Sequence, residues 1–147
     1  MELRTSSAVI GFAESLETGA ARFYEAAAAR IVDLAPFFRD LARENGKNVQ
    51  SIKRAYYSVI SDALETGFSF QNLLSEPYAI ETVLPPEGDA AQILTIAIAN
   101  ETRMVSFYQQ AAHCSQSFMA DLSRVLKRIA NNGEKRLSRL RERLETA

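Results

Sequence analysis

The sequence predicts an all-α chain, a four-helix bundle with one long crossover between its second and third helices. Three observations carry this. Apolar residues recur at spacings of three and four along most of the 147 residues, which is the period of one face of a helix. Strand patterns are nearly absent. The one long interruption of the helical period falls mid-chain, over residues 67 to 88, where Gly67, Pro77, Pro85, Pro86 and Gly88 cluster. A connection of about 20 residues is long for a structureless loop, but a bundle with a crossover requires one.

The first stripe is Val9, Phe12, Ala13, Leu16, Ala20, Phe23, Tyr24, Ala27 and Ile31. It predicts a helix from about Ser7 to Asp33, with Thr5, Ser6 or Ser7 as the N-cap, because a side-chain oxygen there satisfies an unpaired backbone N–H. Pro36 suits the first turn of the next helix. That helix carries Phe38, Leu41, Ala42, Val49, Ile52, Tyr56, Val59 and Ala63, and is expected to run to about Thr66, where Gly67 is a natural stop. The crossover has room for a short helical turn. Asp89 then caps the third helix, with Gln92 in capping-box spacing. The third stripe is Leu94, Ala97, Ile98, Met104, Val105, Tyr108 and Ala111. After a short break near His113 to Gln116, the fourth is Phe118, Leu122, Val125, Ile129, Leu137, Leu140 and Leu144.

Composition narrows the function classes. A length of 147 residues points to one domain, 1–147, and 47% hydrophobic with 24% charged residues excludes global disorder. A net charge of −1 provides no overall field to attract nucleic acid or acidic lipid. No apolar run reaches the roughly 18 residues of a membrane span. Met1-Glu2-Leu3-Arg4 is charged and no signal-length apolar run precedes Glu14, so the expected compartment is the cytoplasm, where Cys114 stays a thiol. One Cys excludes an internal disulfide framework, and one His excludes sites that need two.

The informative residues break the apolar stripes. Glu17 lies four after Ala13 and seven before Tyr24; Glu101 lies four after Ala97 and seven before Tyr108. Both carboxylates therefore face the core, where an ionised group must be paired, protonated or metal-bound. The motif Glu-Thr-x-x-x-x-Phe-Tyr occurs twice, 84 residues apart (101 − 17 and 108 − 24 alike), and Leu41-Ala42 with Lys47 is echoed by Ile129-Ala130 with Lys135. Two similar helical hairpins related by a pseudo-twofold axis are expected.

On Glu17-Thr-Gly-Ala-Ala-Arg-Phe-Tyr24, Glu101-Thr-Arg-Met-Val-Ser-Phe-Tyr108, the lead-in Ile96-Ala97-Ile98-Ala99-Asn100 and the crossover, the chain resembles the rubrerythrin-like branch of the ferritin-like family over about residues 8 to 142. The resemblance implies that Glu17 and Glu101 stand at iron-ligand positions and that helices two and four each supply a Glu-x-x-His. Here the chain departs. Alignment from Leu41-Ala42 puts Asn45 and Asn48 at those two positions, and alignment from Ile129-Ala130 puts Gly133 and Arg136 there. Glu44 and Glu134 are one residue off, rotated about 100° away, and His113 lies about three turns beyond Glu101.

Glu17 and Glu101 are compatible with three environments: a solvated bundle edge, pairing with Arg136, Lys47 or Lys135, or residual ligation of one iron, manganese or zinc ion. In the preferred arrangement Arg136 bridges Glu17 and Glu101, with Asn45 and Asn48 completing the hydrogen bonds. Tyr24 and Tyr108 flank the centre as core residues with bonded hydroxyls, Gly46 and Gly133 lower helix propensity and either allow close packing or local bending or are neutral, and the basic run from Lys135 to Arg143 is a solvated face. The expected function is a non-catalytic binding or structural module with a largely lost di-iron site and no resident cofactor. A homodimer is suggested by the resemblance and by Tyr56, Tyr57, Phe68 and Phe70; no nucleic-acid or membrane partner is expected. The alternatives are an iron- or peroxide-handling metalloprotein acting through Glu17 and Glu101, and a bundle that holds a small apolar ligand.

Overall fold

The computed structural model describes residues 1–59, 70–116 and 120–147. Among them are four long helices: α1 (Ser6–Arg30), α2 (Ala35–Val59), α3 (Ala90–Ser115) and α4 (Ala120–Thr146). The continuation of the second stripe to Ala63, the stop at Gly67, and Phe68 and Phe118 lie outside the described residues, as does the side chain of Val59. α1 packs along α2 and α3 along α4. The two hairpins join where α2 meets α4 and α1 meets α3, so the expected pairing of two helical hairpins is present. No described helix is long and apolar enough to cross a membrane.

The caps follow the sequence. Thr5 accepts the Ala8 N–H at 3.0 Å, and Asp89 and Gln92 form a full capping box, each side chain bonding the other's backbone at 2.9 Å. The first helix, however, stops at Arg30 instead of reaching Asp33. Ile31 leaves helical geometry (φ −108°, ψ 86°), and a 3-10 turn over Val32–Leu34 leads into α2. Ile31 continues the apolar stripe because it still packs on the core; the stripe reports burial, and burial persists one residue past the end of the helix. α3 likewise runs through His113 to Ser115.

The crossover is ordered by specific ties. Its first described part pairs with the N-terminal segment: the Leu3 N–H bonds the Leu73 carbonyl at 2.7 Å, and the Ser75 N–H bonds the Met1 carbonyl at 2.9 Å. Leu3 and Leu73 are both fully buried. A 3-10 turn, Glu76–Tyr78, then sets the Tyr78 ring edge-on to Phe107 at 5.5 Å. The chain next passes against α1 and α3. A β-carbon on Gly19 would sit 2.7 Å from Thr82 Cγ2, so the crossover uses the missing side chain to approach α1. Asn100, buried on α3, holds the opposite side by accepting the Glu81 N–H at 2.9 Å and donating to the Glu81 carbonyl at 2.8 Å.

Asn100 substitutes for the sheet partner that an extended segment lacks. Asn100→Ala is expected to lower stability by about 1–3 kcal/mol, because it leaves two backbone groups unbonded near the core. Amide hydrogen exchange should accelerate at Glu81 and its neighbours ahead of the helices. Unchanged protection there would show that the crossover is held by other contacts.

Candidate functional site

The two motif glutamates are buried side by side in the bundle, Glu17 at 1% exposure on α1 and Glu101 at 4% on α3. The solvated-edge environment is thereby ruled out. Each glutamate receives the tyrosine of the other motif: Tyr108 donates to Glu17 Oε2 at 3.0 Å, and Tyr24 donates to Glu101 Oε2 at 3.3 Å. The Glu-to-Tyr spacing of seven residues, two helical turns, thus produces a reciprocal exchange across the α1–α3 contact.

The second pair of helices breaks this symmetry. Arg136 on α4, 3% exposed, donates from Nε to Glu101 Oε1 at 2.8 Å and from Nη2 to Glu101 Oε2 at 3.4 Å. Its Nη1 donates to the Leu41 carbonyl and to Glu44 Oε1, both at 3.1 Å, and Nη2 also reaches Asn45 Oδ1 at 3.3 Å. The guanidinium thus uses its donors in a planar fork, and it lies over the Tyr24 ring at 5.6 Å. Among the described residues no cation pairs directly with Glu17. Its Oε1 accepts from Asn45 Nδ2 at 2.9 Å and Asn48 Nδ2 at 3.0 Å.

This corrects the expected bridge. Arg136 bonds Glu101 alone of the two glutamates, and its connection to Glu17 runs through Asn45, which accepts from the guanidinium and donates to the carboxylate. Lys47 and Lys135 are exposed and take no part. Asn48 is half-buried, whereas Asn45, Gly133 and Arg136 are buried. The basic run is not wholly solvated either, since Arg136 is interior and Arg143 lies over the Phe37 ring at 4.8 Å.

One contributor to the centre escaped sequence reasoning. Glu44, set aside as rotated off the ligand face, receives Arg136 and also Arg139, the latter at 2.8 and 3.1 Å. The available signal was its place on α2 directly before Asn45, within the span of a guanidinium whose five N–H donors fan out in a plane. Gly133, which the resemblance places at a ligand position, contributes by close packing. A β-carbon there would lie 2.5 Å from Val105 Cγ2 and 3.7 Å from Glu101 Oε1. Its absence lets α4 close on α3 one turn before Arg136, keeping Arg136 within reach of Glu101. No such contact explains Gly46, which has open space around it.

Electrostatics separate the two halves. Burial pushes the Glu17 carboxyl above the usual carboxylate range; the Arg136 charge and the two asparagine hydrogen bonds oppose this without cancelling it. Burial also raises Tyr24 and Tyr108, reinforced by the neighbouring carboxylates Glu101 and Glu17 respectively, so both phenols stay protonated donors. For Arg136, burial favours the neutral form, but the neighbouring carboxylates, Glu101 foremost, outweigh it and hold the guanidinium more firmly charged than usual.

The donor set does not fit a two-cation centre. Such a centre needs a dense set of anionic and imidazole ligands. Here two amides, one glycine and one cation stand at four of the positions at which the resemblance implies ligands, and every carboxylate oxygen of Glu17 and Glu101 already accepts a hydrogen bond. No group of three or more His, Cys, Asp or Glu suited to a metal occurs among the described residues. His113 is exposed in the last turn of α3. Compared with known proteins, the chain matches no family model, no curated protein and no solved structure.

The unequal pairing predicts unequal effects of removing charge. Glu101→Gln leaves the buried Arg136 cation with only the half-exposed Glu44 carboxylate and is expected to cost about 3–5 kcal/mol at neutral pH. Glu17→Gln keeps an acceptor for the asparagines and removes a carboxylate that burial disfavours. A raised folded-state pKa means that the native state favours protonated Glu17. Its contribution is full below the unfolded carboxylate pKa and is lost as pH rises through the raised value. The Glu17→Gln variant should therefore gain on the parent as pH rises from acid towards neutral. Urea unfolding across that range checks both; a pH-independent difference for Glu17→Gln would contradict the assignment.

Proposed function

We propose that this chain is a rubrerythrin-like, ferritin-fold protein in which a side-chain charge network stands where relatives are expected to hold iron. It acts as a non-catalytic binding or structural module. The observation that carries this reading is the seating of the Arg136 guanidinium on Glu101 at 2.8 Å, inside the doubled Glu-to-Tyr motif. A permanent cation at that place repels the metal ions that the glutamates would otherwise attract, and the crossed tyrosines supply donors where a metal would need open lone pairs.

A homodimer remains part of the proposal, carried by the resemblance, but its surface must be narrower than the aromatic residues suggested. Tyr56 and Phe70 are buried within the chain, with the Tyr56 hydroxyl 2.9 Å from Ser7 Oγ. Tyr57 is the exposed aromatic of that group among the described residues, at 71%.

Metal content tests the reading. Protein expressed with iron, manganese and zinc supplied should purify with metal well below one ion per chain, and sedimentation of the same preparation should show a dimer. Stoichiometric metal that disappears in Glu17→Ala or Glu101→Ala would overturn the non-catalytic reading in favour of an iron- or peroxide-handling one.

A further inference from the structure

Between α2 and α4 a groove of about 590 Å³ opens to solvent. Lys47, Arg128, Lys135, Arg136 and Arg139 line it, and among the described residues that line it Glu44 is the one carboxylate. Arg136 is neutralised by Glu101 and Arg139 by Glu44. Lys47, Arg128 and Lys135 have no ion-pair partner among the described residues, so three cations face one concavity in a chain whose net charge is −1. Like charges gathered in a cleft repel one another and focus a positive potential into it.

The remaining lining fits a small ligand. Ser51 and Asn132 add neutral hydrogen-bonding groups, and Ile129, 3% exposed, closes the floor. The volume lies within the roughly 300–1,000 Å³ of small-molecule sites. We propose that this groove binds a small phosphate-bearing molecule. Lys47, Arg128 and Lys135 hold the phosphoryl oxygens through charge-assisted hydrogen bonds, and Ser51 and Asn132 bond the non-phosphate portion. Asn48 lines the groove and also donates to Glu17, so the site adjoins the buried centre without using its donors. The proposal names a ligand class for the binding-module reading and rests on that reading for its role. Metal analysis probes the centre and the following titration probes the groove, so either can fail while the other stands.

The experiment is calorimetric titration of the intact protein with pyrophosphate at constant ionic strength, with thermal unfolding in parallel. Saturable binding and a rising Tm are expected. Lys135→Ala and Arg128→Glu should each weaken affinity about tenfold or more, the loss expected of one charge-assisted hydrogen bond. Arg22→Glu, at an exposed position of α1, should bind like the parent. Without ligand, Arg128→Glu should raise Tm, because it relieves the repulsion. No saturable response, equal binding by the groove variants, or a response to a DNA duplex but not to pyrophosphate would overturn the proposal.

Discussion

Arg136 enters the bundle as a permanent cation, and the interior around it is arranged to keep it bonded. Glu101 takes two of its donors, the Leu41 carbonyl and Glu44 take others, and Asn45 passes the connection on to Glu17. Three helices, α2, α3 and α4, are therefore fixed relative to one another by a single side chain. The tyrosine exchange adds α1. A buried ion pair of this kind does not by itself favour stability over an apolar core, because desolvating both charges costs about as much as their attraction returns. Its effect is on specificity: an alternative packing of these helices would leave a guanidinium or a carboxylate unpaired.

The duplication explains why the centre is half symmetric. α1 and α3 keep the same motif, and their side chains make the same bonds in exchange. α2 and α4 carry unlike residues at the corresponding places, and the electrostatics follow that difference. Glu101 has a cation and Glu17 has amides, so burial lifts the Glu17 carboxyl while Arg136 is held charged. Gly133 belongs to the same arrangement. The empty place next to Val105 allows the α3–α4 approach that brings Arg136 to Glu101.

Most of the helical architecture was legible, because Val9, Phe23, Leu41, Leu94 and Leu122 mark core faces at the helical period and Thr5 and Asp89 mark starts. That Glu17 and Glu101 point with the apolar stripes was legible for the same reason; their burial, against a solvated bundle edge, was decided by the structure. What periodicity could not show is where backbone geometry changes under a continuing stripe, as at Ile31, or which of two neighbouring acceptors a long side chain reaches, as with Glu44. Asn100 was missed for a related reason. It sits on the apolar face, but its partner is the backbone of a crossover whose path has no periodic signal.

A double-mutant cycle on Arg136 and Glu101 tests the central interaction most directly. Stability would be measured by urea unfolding for the parent, Arg136→Leu, Glu101→Leu and the double variant. Each single change should cost about 3–5 kcal/mol, because it takes from one buried charge its closest counter-charge. The double variant should cost far less than the two together, with a coupling of at least about 2 kcal/mol. Additive losses would contradict the account, because they would mean that the guanidinium and the carboxylate do not depend on one another.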